Sequence, residues 1–595
     1  MDWYEEHMRT FEITPMPESY KAVRGQYTPP TGQTHVDVGA VKNSWAQINL
    51  AIRMPCRAIL LLEERPTFAH HLPIGDVTVL RASITAAGLS AKLRLVDVVS
   101  DDDGVAKADV ILENGEMEVR AYQTNQMVAL IDVPAGTPAG DYQGSIRFFA
   151  HSMFYDERLA REITFTVHVA DVELPAAPEQ RFYLNLWQHV FNIARKCEVE
   201  AYTPAHIEAL RPYAKALGEL GNRVTTVVLS DVPWRGQQCY NDAEAPCDLY
   251  EYNYVRIRRG VDGAFRYDFS FAEAYIDLMA AYGATDVMLT GLYGVWVDEK
   301  EGFDCFVEGW PDAIRVSYID ERTGALCFMR RREEIEDYIR AVYDWIVARG
   351  MLPYSYLMGD EVNLGSTAGE WTRVLETIHR LMPDIRMDWD MGPKDIMNDT
   401  YRNERVDVYT PQIDLLAVAG PELLRATRER LQPGGKYLWS VCCYPPVMNS
   451  FLYTNLCEVR LHGLITEKLK LDGFIRWNFT VWPDDPRADL SFHAPGWPAG
   501  DTCFVYPGNG GQCLLSLRYL ALKRGIEDYE LAQMVKARVR DGEKIVDEAV
   551  EGVLNEGDLS KWDFVDYHGR EKYMSLNDAD YQAAREKLVR ALENA

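Results

Sequence analysis

The chain has 595 residues, of which 47% are hydrophobic and 26% are charged, as is typical of a soluble globular protein with two or three domains. The formal net charge of −28 argues against nucleic acids and anionic membranes as partners, because phosphate binding needs a basic surface. No apolar run reaches the roughly 18 residues that a membrane-spanning helix requires.

The cysteines and the first residues favour a cytoplasmic protein without a metal or another cofactor. The eleven cysteines are scattered, none forms a Cys-x-x-Cys pair, and no zinc-binding spacing occurs. This pattern suits reduced thiols better than a disulfide framework. Residues 1–7 lack the basic segment and apolar core of a signal peptide, although a signal peptide removed from the sequence would leave the same start.

The first part of the chain alternates apolar and polar residues, which is the pattern of half-buried strands. The clearest run is 163–169, and turn-rich residues at 134–142 lead into another run at 145–149. We therefore predict an N-terminal antiparallel β-sandwich over 1–175. Two prolines within 173–179 end this region and mark a stiff linker.

After the linker, apolar strands alternate with helical segments. The strands are predicted at 182–187, 224–229, 286–290, 354–359, 385–389, 406–409, 437–441 and 473–478. The helices are predicted near 204–220, 270–282, 331–349, 367–381 and 454–470, with a last one from about 513. Eight such units predict a (β/α)8 TIM-type barrel over 180–535, followed by a short helical C-terminal appendage over 536–595 that packs without forming a site.

The fourth predicted strand ends in two adjacent acids, Asp360 and Glu361. Such a pair before a helix is also a common helix cap, and the dipeptide alone favours that explanation. Its place at the carboxyl end of a barrel strand reverses the preference, because barrel enzymes build their active sites there. Paired carboxyl groups at such a place indicate acid–base chemistry on a glycosidic bond.

A glycosidase with this pair still needs a nucleophile, and the sequence leaves two sources open. The end of the seventh strand has no carboxylate, so the nucleophile is either Asp388 or Asp390 after the fifth strand, or it belongs to the substrate. A 2-acetamido sugar can attack its own anomeric carbon through its carbonyl oxygen. One acid of the pair then steadies the acetamido group, and the other protonates the leaving oxygen.

Aromatic residues follow several of the strands and predict a sugar pocket, because pyranose rings pack their C–H faces on indoles. Trp389 follows the fifth strand, Tyr444 the seventh, and the run 477–483 follows the eighth. Any single tryptophan among them has about even odds of being a core residue. Their recurrence at strand ends favours the pocket.

Several motifs in the second half of the chain carry a specific resemblance. They include Tyr444-Pro445-Pro446, Asn449, Arg460, the run 472–478, Gly500-Asp501, the run 504–508, Ser516-Leu517-Arg518 and the run 524–530. Over roughly 180–535 the chain resembles the catalytic domain of glycoside hydrolase family 123, the β-N-acetylgalactosaminidases, and the larger, mostly uncharacterised relatives that share it. The predicted sandwich is similar to the N-terminal domain of that family.

The resemblance implies roles for particular residues. Asp360 would polarise the acetamido group of the substrate, and Glu361 would act as the general acid and base. We expect substrate contacts from residues at the strand ends and in the motifs: Asp388, Trp389, Tyr444, Asn449, Trp477, Asn478, Trp482 and Tyr506.

The sequence thus predicts an exo-acting, retaining β-N-acetylgalactosaminidase that uses substrate assistance and acts on a β-linked amino-sugar glycan or glycolipid. One alternative is a glycosidase for another sugar, with Asp388 or Asp390 as nucleophile. The other is a non-catalytic glycan-binding protein that has kept the barrel. We expect neither nucleic acid nor membrane as a partner.

Overall fold

A computed structural model describes residues 11–62, 78–152, 156–233, 250–293, 307–308, 310, 314–359, 368–493 and 496–595 of the protein. It contains an N-terminal β-sandwich, an eight-stranded parallel barrel and C-terminal helices, so the predicted fold class is confirmed. In these ranges no helix combines the length and the apolar character needed to cross a membrane.

The sandwich consists of a five-stranded and a six-stranded sheet, whose strand orders are β1-β3-β9-β6-β7 and β2-β11-β10-β5-β4-β8. The strands are β1 Glu12–Met16, β2 His35–Lys42, β3 Ser44–Arg53, β4 Ala58–Leu62, β5 Thr78–Ala86, β6 Ser90–Ser100, β7 Ala106–Ile111, β8 Glu116–Val119, β9 Thr124–Val133, β10 Gly140–Ser152 and β11 Arg158–Glu173. Most neighbours are antiparallel, but β2–β11 and β4–β5 are parallel pairs. The alternating run in β11 buries Ile163, Phe165 and Val167, as its pattern predicts.

The barrel sheet has the order β12-β25-β24-β23-β22-β21-β18-β13, and each neighbouring pair in it is parallel. Its strands are β12 Tyr183–Leu186, β13 Val224–Val228, β18 Asp286–Thr290, β21 Ser355–Gly359, β22 Arg386–Trp389, β23 Val406–Tyr409, β24 Leu431–Ser440 and β25 Gly473–Arg476. Most of their residues are buried, because helices cover the outside and side chains fill the inside. All eight predicted strands are therefore confirmed, with ends shifted by a few residues.

Further short strands form small sheets outside the barrel. They are β14 Val232–Pro233, β15 Tyr250–Glu251, β16 Arg256–Arg259, β17 Phe265–Asp268, β19 Ser317–Asp320, β20 Leu326–Phe328, β26 Val505–Pro507 and β27 Cys513–Leu515. The strands β14 to β17, β19 and β20 lie in the two long insertions that follow β13 and β18. Because both insertions follow barrel strands, they belong to the carboxyl-end face of the barrel.

The first and second barrel strands are joined mainly by side chains. The Asn222 amide accepts a hydrogen bond from the Leu186 N–H (2.8 Å) and donates one to the Val224 carbonyl (2.8 Å). The Gln188 amide accepts one from the Thr226 N–H (2.8 Å) and donates one to the Val224 carbonyl (3.2 Å). These two amides take the place of a regular backbone ladder and close the barrel.

The helices are α1 Val190–Lys196, α2 Pro204–Glu219, α3 Ser270–Ala281, α4 Arg332–Ala348, α5 Ala368–Leu381, α6 Pro393–Ile396, α7 Ile413–Glu429, α8 Leu456–Lys468, α9 Leu517–Arg538, α10 Gly542–Glu551 and α11 Asp578–Glu593. One helix, α7, was not predicted from the sequence. Gly420 within α7 has a non-helical backbone (φ 78°) and precedes Pro421, so the segment contains a kink between two helical pieces. A Gly-Pro pair in a sequence indicates a turn, so the sequence pattern did not predict this helix.

A buried ion pair fastens the sandwich to the barrel. Asp109 of β7 and Arg518 of α9 are paired at 2.9 Å, and both side chains are fully buried. The Tyr506 hydroxyl also donates to Asp109 (2.6 Å), and Arg518 donates to three backbone carbonyls, those of Ser450, Gly500 and Cys503. The guanidinium thus has a carboxylate and three carbonyls as acceptors for its Nε and Nη1, while its Nη2 has no hydrogen-bond partner among the described residues.

A second buried network ties the same helix layer to the chain ends. Glu18, just after β1, pairs with Arg524 of α9 (2.7 Å) and with Arg460 of α8 (3.4 Å). Asp528 pairs with Arg460 (2.7 Å) and with Arg585 of α11 (2.6 Å). Burial opposes ionisation of Glu18, but Arg524 and Arg460 outweigh it and lower its pKa to about 2. The three parts of the chain are therefore joined by compensated charges.

Replacing Asp109 by Asn is expected to lower the free energy of unfolding by about 3–5 kcal/mol, because it leaves the Arg518 charge buried without its counter-ion. Chemical denaturation followed by tryptophan fluorescence measures the change. Glu118→Gln is the control, since Glu118 pairs with Arg57 at the surface, where solvent screens the pair, and should change the free energy of unfolding far less. Equal effects of the two substitutions would contradict the importance given to the buried pair.

Candidate active site

The acid-bearing strand occupies the position that the sequence predicts. β21 is the fourth strand of the barrel and ends at Gly359, which pairs in register with Trp389 of β22. Asp360 and Glu361 follow Gly359 in the chain and lie outside the described residues. Their assignment therefore stays a prediction, and the site is built here from the neighbouring strand ends.

Asp388 lies on β22 beside Met358 of β21 and is fully buried. Its Oδ1 accepts a long hydrogen bond from the Thr410 hydroxyl (3.5 Å), and its Oδ2 has no hydrogen-bond partner among the described residues. Burial raises the pKa of this carboxyl group to about 7. Its charge also acts on the buried phenols of Tyr356 and Tyr293, so Asp388 belongs to a polar layer of the barrel interior.

Asp390, one residue past the end of β22, is partly exposed. It stands two residues further along the strand direction than Asp388, so the two side chains share a face but lie at different depths. Of these two acids, Asp390 is the one that is open to solvent.

Asn478 lies directly beyond β25 and is fully buried. Neither its Oδ1 nor its Nδ2 has a hydrogen-bond partner in the described part of the chain. A buried amide without partners costs about 1–3 kcal/mol, so its presence calls for a ligand or water that completes its bonds.

Trp477, next to Asn478, is partly exposed at the same strand end. Its indole N–H donates to Asp501 Oδ1 (3.3 Å), and its ring lies 5.5 Å from that of Trp497. Asp501 is itself buried against Arg476, and burial raises the pKa of Asp501 to about 6 although Arg476 opposes this. The indole is therefore held in one orientation with part of its surface open.

The loop after β24 carries Tyr444, which is 40% exposed. Asn449 holds this loop from within: it is fully buried, and its amide donates to the carbonyls of Cys442 (2.9 Å) and Pro445 (2.7 Å). Arg476 in turn donates to the Asn449 Oδ1 (2.6 Å). Asn449 thus positions the loop, and Tyr444 is the side chain that the loop presents.

Three side chains predicted to contact the sugar are instead buried in the core or in an interface, away from this opening. Trp389 is fully buried, with its indole N–H bonded to the Arg405 carbonyl, and faces the helix layer because strand neighbours point to opposite sides. Trp482 donates to the Val505 carbonyl within the core. The Tyr506 hydroxyl is bound by Asp109 at the sandwich interface. All three have packing roles.

The end of β24 carries Cys442 where many barrel glycosidases carry an acid. Gln412 donates to the Cys442 sulfur (3.2 Å), and the Cys443 sulfur lies 3.9 Å away. The neighbouring Cys443 and burial raise the pKa of the Cys442 thiol well above its ordinary value. The group stays protonated near neutral pH and is a poor nucleophile.

One acid on this face had no signal in the sequence. Glu251 of β15 is fully buried and accepts hydrogen bonds from the Val190 N–H (2.9 Å), the Phe191 N–H (3.3 Å) and the Tyr254 hydroxyl (2.9 Å). Burial raises its pKa to about 8. It connects the first long insertion to the start of α1. The sequence shows it only as one acid in an insertion.

A metal centre has no support in the described ranges, where no three His, Cys, Asp or Glu side chains gather to hold an ion. The groups brought together at the carboxyl ends of β24 and β25 are instead an open indole, an unpaired buried amide and an exposed phenol, those of Trp477, Asn478 and Tyr444. Such groups bind hydroxyls and the apolar faces of small molecules.

Comparison with known structures finds a close match in architecture. A family 123 glycoside hydrolase from Clostridium perfringens, studied for glycolipid glycan hydrolysis, has a TM-score of 0.74 at 13% identity, over 98% of this chain and 100% of that chain. A Bacteroides ovatus GH5 xyloglucanase in complex with a XXXG heptasaccharide has a TM-score of only 0.28 at 8% identity, over 85% of this chain and 100% of that chain. No curated protein sequence matches the chain.

The family assignment comes from the sequence model of the glycoside hydrolase 123 catalytic domain, which matches residues 187–535. This range begins at the end of β12 and runs through α9, so it covers the barrel and more than half of the chain. The chain therefore belongs to glycoside hydrolase family 123.

Proposed function

We propose that the protein is an exo-acting, retaining β-N-acetylgalactosaminidase that uses the acetamido group of its substrate as the nucleophile. In this proposal Asp360 orients and polarises the acetamido group, and Glu361 protonates the leaving oxygen and later activates water. Membership of family 123 supports the reaction class. The glycolipid glycan hydrolysis studied in the Clostridium perfringens enzyme supports the glycan of a glycolipid as substrate.

The observation that carries the mechanism is the state of the other candidate nucleophiles. Asp388 is fully buried and has a pKa near 7, so it is a weak and inaccessible nucleophile. The end of β24 offers a protonated Cys442 in place of an acid. Because neither Asp388 nor Cys442 is suited to be the nucleophile, we favour a nucleophile supplied by the substrate, which is the mechanism that an adjacent Asp-Glu pair can assist. Asp390 is the carboxylate that the alternative mechanism would require.

The neighbouring strand ends suit the recognition of one terminal sugar. The open part of the Trp477 indole offers a surface for the C–H face of a pyranose ring. The Asn478 amide can both accept from and donate to sugar hydroxyls, which would satisfy its unpaired atoms. Tyr444 stands at the mouth, where the leaving group would pass.

Glu361→Gln is expected to lower kcat by about 10²- to 10⁴-fold, the usual contribution of a general acid, on N-acetyl-β-D-galactosaminides whose leaving group is poorly activated, and less on the 4-nitrophenyl glycoside, whose leaving group needs little protonation. Asp360→Asn is expected to lose in addition the tight binding of a 2-acetamido thiazoline inhibitor, which resembles the substrate-assisted intermediate. Initial rates and inhibition constants measure both effects.

The control for these variants is Asp390→Asn, which should keep wild-type activity and inhibitor binding. Hydrolysis of the matching β-galactoside, which has no acetamido group, would contradict substrate assistance and point to Asp390. Tight thiazoline binding by the wild type without turnover of any glycoside would instead identify a glycan-binding protein.

Asp388→Asn is expected to leave kcat within about tenfold of wild type and to change the pH dependence of stability. The native carboxyl has a pKa of about 7 against 3.8 ordinarily, so the folded state holds a proton that the unfolded state releases. The free energy of unfolding of the wild type should therefore fall by up to about 4 kcal/mol as the pH rises from about 4 to 7. The Asn variant has no carboxyl group at this position and should not show this decrease.

Thermal unfolding of both proteins at pH 5 and pH 8 measures this effect, with Asp399→Asn as the exposed control. The gain from Asp388→Asn should be larger at pH 8 than at pH 5. Loss of activity in a variant of normal stability would support Asp388 as the nucleophile.

Asn478→Ala is expected to lower kcat/KM roughly 10- to 100-fold, since it removes hydrogen bonds to the sugar, without lowering the free energy of unfolding. The amide has no partner in the described chain, so the fold loses little with it. Asn449→Ala is the contrasting variant, because that amide makes four protein hydrogen bonds and its loss should destabilise the fold. Full activity of Asn478→Ala would contradict the sugar contact.

A further inference from the structure

The C-terminal appendage reaches the face of the barrel on which the site lies. Within its segment 559–572, residues 559–561 pack against α7, and the Phe564 carbonyl accepts a hydrogen bond from the Val447 N–H in the loop after β24 (3.3 Å). Arg570 of the segment pairs with Glu458 at the start of α8 (3.3 Å). Because α7 and α8 both begin at the carboxyl ends of barrel strands, this segment borders the mouth of the site.

Apolar side chains are exposed where these pieces meet. They are Leu415 (39% exposed), Val418 (64%), Tyr444 (40%) and Val565 (63%), and we call them the apolar rim. Two come from α7, one from the loop after β24 and one from the appendage. Grouped exposed apolar residues beside a pocket are the usual mark of a binding surface, whereas single ones need no explanation.

The rim is also acidic. Asp414 precedes Val418 by one helical turn and so shares its face of α7. The Asp414 Oδ1 is buried without a hydrogen-bond partner among the described residues. The Asp563 Oδ1 accepts hydrogen bonds from the Val565 N–H (2.9 Å) and the Asp566 N–H (3.2 Å), which fix this carboxylate beside the rim. Burial and the charges of Asp414 and Asp563 raise the pKa of the Tyr444 phenol.

We propose that the apolar rim binds the leaving group of the substrate, and that it accepts an uncharged leaving group with an apolar face and disfavours an acidic one. The inference rests on the proposed function. An exo-acting enzyme buries the terminal sugar among the strand ends, so the rest of the substrate must lie at the mouth, where Tyr444 stands. The exposed valines supply apolar contact, and the two aspartates repel a negative charge.

The appendage thereby helps to determine specificity, although its residues are distant in sequence from the catalytic domain. Val565 and Asp563 lie outside the range that the family model covers. Their position follows from the hydrogen bond between Val447 and Phe564, which holds the segment against the loop that carries Tyr444.

The test compares two substrates that differ in the charge of the leaving group, the 4-nitrophenyl and the 3-carboxy-4-nitrophenyl N-acetyl-β-D-galactosaminides. The intrinsic reactivity of each substrate is the same for every variant, so the ratio of the two kcat/KM values isolates the contribution of the protein. Val565→Asp should lower kcat/KM for the neutral substrate about two- to fivefold and that for the acidic substrate further. The double variant Asp414→Asn/Asp563→Asn should lower the ratio of kcat/KM for the neutral substrate to kcat/KM for the acidic substrate by at least about twofold.

Val347→Asp is the matched control, since Val347 is 48% exposed at the end of α4, on the opposite end of the barrel. It should leave both values unchanged. Val418→Asp provides a second rim variant, and thermal unfolding confirms that each variant is folded. Ratios within experimental error of wild type in all rim variants would overturn the inference while the proposed function stands. Failure of the wild type to cleave either substrate would overturn both.

Discussion

The architecture depends on guanidinium groups that are buried between the parts of the chain and paired there with carboxylates. Arg518 meets the sandwich through Asp109, while Arg524 and Arg460 share Glu18 near the N-terminus. A buried charge is tolerable only when its partner and its acceptors are all in place. The sandwich, the barrel and the appendage must therefore adopt one arrangement. This arrangement fixes the positions of the loops at the carboxyl ends of β24 and β25.

This arrangement gives a physical meaning to the motifs by which the family is recognised. Arg518, Arg524 and Asp528 are among the most specific residues of the resemblance, yet each lies in an interface and none lies at the strand ends. The interface determines where the catalytic face is held, so residues without chemistry of their own identify the family as well as catalytic groups do.

The sequence predicted the eight barrel strands because buried parallel strands are continuous apolar runs, which no other pattern imitates over so many repeats. It failed at α7, where Gly420 and Pro421 read as a turn. It also placed Trp389 and Tyr506 in the site, because position along a strand does not say which face a side chain occupies or what lies behind it. Asn478 lies near the strand end that the sequence indicated, and only the structure shows that its amide has no hydrogen-bond partner among the described residues.

The closure of the barrel by Gln188 and Asn222 has a consequence for its shape. Seven of the eight contacts between strands are backbone ladders, whose spacing is fixed at about 4.8 Å by peptide geometry. At the eighth contact a single backbone hydrogen bond, from the Arg223 N–H to the Leu184 carbonyl (2.9 Å), is supplemented by the side chains of Asn222 and Gln188, so substitution of these two amides can change the spacing beyond that point. Because the first long insertion and α1 both begin at this seam, the width of the cavity and the placement of these two elements would vary together during evolution.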